Sequence, residues 1–260
     1  MASNKPAHKI VPFPKIRRAT TDLLKSARRK NMIHSFIEVD VTDARRMLRR
    51  RKRETGEFMS LLGFIIYCVA RAVEKNPKIQ AYRNRKNQLV IFEDVDVSTT
   101  IERTIDGNKE VVAMVLRRAN DKSASEISTE IRDESAKDAA DAEVMKSIKL
   151  YLAIPAFLRN LAFRLIDRAP FMLKQKAGTI MVTSANMVGS GAAWGLPIAS
   201  HTLGVTIGGI ARRAAIIGGE AVEREHLCLT LSLDHDIIDG APAARFIRRL
   251  KQLIEHPELG

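Results

Sequence analysis

The stretch Leu227–Gly240, LCLTLSLDHDIIDG, decides how this chain is read. Leu227, Leu229, Leu231 and Leu233 recur at period two, with Cys228, Thr230 and Ser232 between them. That alternation predicts a strand with one apolar and one polar face. The strand delivers Asp234 and His235 to its end, Asp239 and Gly240 follow, and a helical pattern starts at Ala241. Imidazole is the side chain whose unperturbed pKa lies near neutrality, so it can take and return a proton at cellular pH. A histidine at a strand end, with a carboxylate one turn on and a glycine to reverse the chain, has the parts of a general base. The competing reading is a satisfied structural histidine.

Working outward, the last helix spans Ala241–Glu255 and is basic. Upstream, Ala214–Ile217 is a strand turning through Gly218-Gly219. His201–Gly208 is another strand, ending in Gly208-Gly209. Gly178–Thr183 is a strand running into a loop of small residues, SANMVGSGAAWG. In the N-terminal half, residues 1–14 form an extended arm punctuated by prolines. Lys15–Lys30 is helical, His34–Val41 alternates as a strand, and a basic helix starts at Thr42. Ser60 caps an apolar helix over Leu61–Val73 that stops at Asn76-Pro77. Short strands are expected at Gln88–Phe92, Asp94–Glu102 and Glu110–Ala119, with Asp106-Gly107 as a turn, and an amphipathic helix at Ser125–Asp138. Leu150–Leu173 is apolar, broken by Pro155 and Pro170 and dotted with Arg159, Arg164 and Arg168. It reads as a pair of helices packing on the body, with a membrane-surface helix as the alternative.

Composition narrows the classes. With 260 residues and 45% hydrophobic content, the chain suits one compact α/β domain over 15–260 behind the 1–14 arm. Cys68 and Cys228 sit in apolar runs and read as reduced core thiols. No signal-peptide pattern is visible, and Met59–Ala70 is too short to span a bilayer, so a cytoplasmic protein is expected. The six His and two Cys show no metal-ligand spacing, so no metal is expected. The net charge is +13, and RRMLRRRKR at 45–53 holds seven basic residues in nine. No aromatic interleaving or reading motif accompanies it, so it is read as a solvated helix face rather than a nucleic-acid surface. The excess charge could also attract an anionic substrate such as a coenzyme A ester.

D-H-x-x-x-D-G with its flanks resembles the active-site signature of 2-oxo acid dehydrogenase acyltransferases, and a looser form occurs in chloramphenicol acetyltransferase. Further segments agree in order over roughly residues 10–255: Lys15-Ile16-Arg17-Arg18, the strand IEVDVT at Ile37–Thr42, the core-helix run Phe64–Tyr82, the helix Lys122–Ile131, and Gly178-Thr179 to Ser184. The resemblance implies a chloramphenicol-acetyltransferase-like fold, a mixed sheet flanked by helices, forming homotrimers with the active site in a channel between subunits. It implies that His235 takes the proton from a thiol of coenzyme A or dihydrolipoamide as the sulfur attacks a thioester. Thr183 or its neighbour Ser184 would donate to the oxyanion. Asp239 would be held in an ion pair by Arg17 or Arg18, setting the loop and the histidine tautomer.

Three departures from the family pattern stand out. Asp236 replaces the arginine after the histidine, Leu150–Leu173 replaces a shorter polar stretch, and no lipoyl domain, peripheral-subunit-binding domain or linker is read. The expected function is therefore acyl transfer between a coenzyme A thioester and a thiol or other small acceptor, with the acceptor or a separate lipoyl or acyl carrier supplied by another molecule. The alternative is a non-catalytic trimeric scaffold of an acyltransferase-like complex.

Overall fold

The computed structural model describes residues 8–105, 108–137, 150–184 and 191–257. The Asp106-Gly107 turn and half of the small-residue loop, 185–190, lie outside the described residues. The helices are α1 (Lys15–Ala27), α2 (Thr42–Thr55), α3 (Leu61–Glu74), α4 (Ala124–Ala136), α5 (Ala156–Ile166), α6 (Pro170–Ala177) and α7 (Gly240–Glu255). The strands are β1 (Met32–Asp40), β2 (Tyr82–Arg83), β3 (Leu89–Val90), β4 (Val97–Ile105), β5 (Asn108–Leu116), β6 (Ile180–Ser184), β7 (Leu203–Ile217) and β8 (Glu220–Asp234). Six of them make a mixed sheet in the order β1-β8-β7-β6-β4-β5, in which β6 runs parallel to both β4 and β7. The expected α/β architecture of a mixed sheet flanked by helices is the one observed.

The core lies on one face of this sheet. Leu227, Leu229, Leu231 and Leu233 of β8 are buried there with Phe64, Ile65 and Val69 of α3 and with Phe246, Leu250 and Ile254 of α7. Helix α3 forms because Ser60 accepts a hydrogen bond from the Gly63 N–H at 3.0 Å and because its apolar run is buried nearly all round. Helix α4 starts on a capping box in which Ser123 and Glu126 satisfy each other's backbone N–H.

The other face of the sheet is also covered, which the alternation of β8 does not reveal. The segment 191–200 crosses over it: Gly209 N–H donates to Ala193 O at 2.8 Å and the Trp194 indole to Ile37 O at 3.4 Å. That crossing explains a misread strand. The sequence reading broke β7 at Gly208-Gly209, yet one strand runs from Leu203 to Ile217 with an irregularity between Ile207 and Ile210. A Cβ on Gly208 would stand 2.0 Å from Ala193 O, so the glycines there admit a neighbouring chain rather than make a turn. The turn lies at Gly218 and Gly219, with φ +62 and +90, at the tip of an exposed hairpin whose return strand starts at Glu220, seven residues before Leu227. The strand expected at Gln88–Phe92 shrinks to Leu89–Val90, paired with Tyr82–Arg83.

Candidate active site

Strand β8 places Asp234 at its last position, and the chain then turns through 235–237 before α7. The turn is pinned from several sides. His235 N–H donates to Asn31 O at 2.8 Å, and the Ile237 and Ile238 N–H groups both reach back to Asp234 O. The buried Asp234 carboxylate accepts from Lys30 Nζ at 2.8 Å. Asp236, the departure from the family arginine, accepts from Asn31 Nδ2 at 2.9 Å and lies 3.8 Å from Arg83. Its charge is thus matched by a cation from β2. The sequence reading missed Lys30, Asn31 and Arg83, because their partners lie some 150 to 200 residues away along the chain.

The His235 ring itself is exposed and, among the described residues, makes no hydrogen bond. A satisfied structural histidine would be buried and bonded; this one has its backbone clamped and its ring presented. Asp239 occupies the N-cap position of α7 with extended backbone, but its carboxylate does not cap the helix. Asp239, Arg17 and Arg18 are all exposed, and within one copy the structure does not join them.

Thr183 and Ser184 close β6. In the sheet register Thr183 sits beside Thr100 on one side and Thr206 on the other, and Thr206 pairs with Thr230. Four threonines thus form a row across β4, β6, β7 and β8. The Thr183 and Thr100 hydroxyls are 3.0 Å apart, while those of Thr206 and Thr230 are buried without a partner among the described residues. Because Thr183 is level with Thr230, it lies two strands across and five residues along from His235, on the order of 20 Å. One copy of the chain does not bring the two groups together.

A chamber of about 1140 Å³ opens beside this row. Its roof is the pair α5–α6, the two helices expected within Leu150–Leu173, although no residue of α5 is buried. The roof is clamped at both ends. Arg159 Nε of α5 donates to Asp22 of α1 at 2.9 Å, the hydroxyl of Tyr151, just before α5, donates to the same oxygen, and Ser26 of α1 donates to Asp167, just after α5. On α6, Lys174 donates to Asp96 at 2.8 Å, and Arg117 binds the same carboxylate. Burial works to raise the Asp96 pKa, but Lys174, the Arg118 N–H and Arg117 outweigh it and hold the group below the usual carboxylate range. His201 lines the chamber, sealed in place: one ring nitrogen bonds Ala177 O at 2.8 Å and the other the Ser200 hydroxyl at 3.0 Å. Burial lowers its pKa to about 4, so the ring is neutral at physiological pH.

The family model of the 2-oxoacid dehydrogenases acyltransferase (catalytic domain) matches residues 5–147 and 158–260. The chain belongs to this acyltransferase family. The acyltransferase match is interrupted over 148–157, the stretch leading into α5, and resumes at 158 across the rest of the roof. A dihydrolipoyllysine-residue acetyltransferase component of the pyruvate dehydrogenase complex of Bacillus subtilis is 28% identical over 229 residues, 85% of this chain and 44% of the relative. A dihydrolipoyllysine-residue succinyltransferase component of the 2-oxoglutarate dehydrogenase complex of Staphylococcus epidermidis is 24% identical over 98% of this chain and 56% of its own length. The chain thus spans about half the length of these acyltransferase relatives. Among solved structures, a dihydrolipoamide acetyltransferase of Azotobacter vinelandii superposes with a TM-score of 0.70 at 18% identity over 98% of both chains. A probable dihydrolipoamide acetyltransferase of Listeria monocytogenes gives 0.67 at 21% identity over 97% of this chain and 99% of the other. These two likenesses establish that the chain shares the fold of acyltransferase catalytic cores.

Proposed function

We propose that this chain is an acyltransferase that moves an acyl group between a coenzyme A thioester and a thiol or other small acceptor, with His235 as general base. The observation that carries the reading is the His235 turn, where a clamped backbone presents an unbonded, exposed imidazole at the end of the family's signature strand. His235 takes the thiol proton as the sulfur attacks the thioester carbonyl. The tetrahedral oxyanion accepts from the hydroxyl of Thr183 or Ser184, and its collapse expels the leaving thiolate, which recovers the proton from His235. A preorganised donor of this kind contributes about 2.7–4 kcal/mol to the barrier in other enzymes.

Because His235 and Thr183 are far apart in one copy, the working site takes the histidine from one subunit and the hydroxyl from its neighbour, in a homotrimer whose single catalytic domain covers 15–260. Asp239 pairs with Arg17 or Arg18 in that assembly and sets the loop. A separate lipoyl or acyl carrier delivers the acceptor. The role of the histidine is supported by the work on the Azotobacter enzyme, which concerned a serine, a histidine and an asparagine in its catalytic mechanism; there the last two are four residues apart, as His235 and Asp239 are here. Among the described residues no helix is long and apolar enough to cross a membrane.

A second reading, a non-catalytic scaffold, draws on Asp236 and on Asp239, which has no partner among the described residues. Thiol release measured with a panel of acyl-CoAs and acceptors, dihydrolipoamide included, separates the two. Turnover lost in His235→Ala supports the enzyme. Turnover equal in both proteins, or none with any pair, overturns it.

A further inference from the structure

The chamber under α5–α6 is built differently from a site for a two- or four-carbon acyl group. Its volume, about 1140 Å³, exceeds the range of about 300–1000 Å³ usual for small-molecule sites. Leu23, Phe163, Ile166, Met172, Val115 and Met181 supply its apolar walls, drawn from α1, the two roof helices and the sheet. The lining also carries an excess of positive charge. Its three carboxylates are all engaged: Asp167 with Ser26 and Arg29, Asp234 with Lys30, and Asp236 with Asn31 and Arg83. Arg85, Arg164, Arg168 and Lys176 also line it, and among the described residues none of these four has a carboxylate partner. Thr100 lines the floor, within hydrogen-bonding distance of Thr183, so the chamber abuts the candidate oxyanion donor.

Apolar walls and a surplus of unpaired cations suit one class of molecule: an amphipathic anion, an apolar chain ending in a carboxylate or phosphate. We infer that the chamber binds such a chain and that, granted the acyl-transfer reading above, the group handled here is a medium or long apolar acyl group rather than the acetyl and succinyl groups for which its relatives are named.

The test is calorimetric titration of the full-length chain with hexanoate, octanoate, decanoate and dodecanoate, all below their micelle concentrations. Affinity is expected to rise about fourfold per methylene, the factor that corresponds to about 0.8 kcal/mol of buried CH₂, and then to level off when the walls are filled. Ala113→Trp, which narrows the chamber from an exposed position on β5, is expected to weaken decanoate at least tenfold while leaving hexanoate within twofold. Arg164→Glu with Arg168→Glu is expected to weaken all chain lengths equally at low salt. Octyl phosphate and octanoyl-CoA, compared with octanoate, identify which anion the cations prefer, and tighter binding of octanol than of any of them would overturn the head-group assignment.

Phe157→Ser with Leu161→Ser, on the outward side of α5, is the control for adhesion to the exposed helix. If it abolishes binding and Ala113→Trp does not, the chamber proposal is wrong. Affinity that shows no dependence on chain length overturns it as well. The two readings fail separately: His235-dependent turnover of acetyl-CoA alone, indifferent to Ala113→Trp, keeps the enzyme and removes the long chain, whereas chain-length-dependent binding without turnover does the reverse. Circular dichroism of each variant checks that it is folded.

Discussion

Acidification from pH 8 to pH 5 will weaken the fold by about 2 kcal/mol through His201 alone. The imidazole is 4% exposed, held between Ala177 O and the Ser200 hydroxyl, and burial has lowered its pKa from 6.5 to about 4, with Lys30 adding to the same direction. The folded pKa lies below the unfolded one, so as pH falls the unfolded chain takes up a proton first. The contribution is complete above pH 6.5 and is lost progressively as pH falls toward 4. Urea unfolding of the wild type and of His201→Gln at pH 8 and pH 5 measures it. Carboxylates held low, such as Asp96 and Asp40, also lose stability on acidification, but they do so in both proteins. The difference between the two pH dependences therefore isolates His201, and the wild type is expected to lose about 2 kcal/mol more. Equal losses would refute the claim that this ring is buried neutral.

Further consequences follow from packing and chemistry. Gly63→Ala places a Cβ 2.1 Å from the Ser128 hydroxyl, which is itself fixed by Ala124 O and the Ser60 N–H, so thermal unfolding should show a loss of about 1–3 kcal/mol. Phe246→Ala, at a fully buried position of α7, should cost about 3–5 kcal/mol in urea unfolding. Ser123→Ala removes one half of the α4 capping box and should cost about 1 kcal/mol. His235→Ala should lower kcat of acyl transfer by about 10²–10⁴ with stability unchanged, since the exposed ring makes no contact that folding needs.

What the sequence revealed and what it concealed divide along physical lines. The leucine alternation of β8 and the all-round apolar character of α3 mark the core, because burial writes itself into period and composition. The covered second face of the sheet left no such mark: Thr206, Thr230 and Ser232 are polar yet fully covered by a crossing segment from elsewhere in the chain. Gly208 and Gly209 looked like a turn because glycine signals both a reversal and a close approach, and only the position of Ala193 tells them apart. At the site, the strand-end histidine was legible from D-H-x-x-x-D-G. Its supports Lys30, Asn31 and Arg83 were not, since ion pairs between distant segments carry no local pattern. Asp236 was visible as an anomaly, but its balancing cation was visible only in three dimensions. The chamber is a tertiary object, and the sequence offered just the apolar, arginine-dotted segment that roofs it.

The central claim is that the acyl-transfer site joins His235 of one copy to the Thr183–Ser184 hydroxyls of another. Mixing two inactive chains, His235→Ala and the double variant Thr183→Val with Ser184→Ala, tests it directly after subunit exchange in mild denaturant. Each site then draws its histidine and its hydroxyl independently, so a one-to-one mixture should recover about a quarter of the wild-type thiol-release rate. No recovery, in mixtures shown by native mass spectrometry to contain both chains in one assembly, would contradict a site shared between copies.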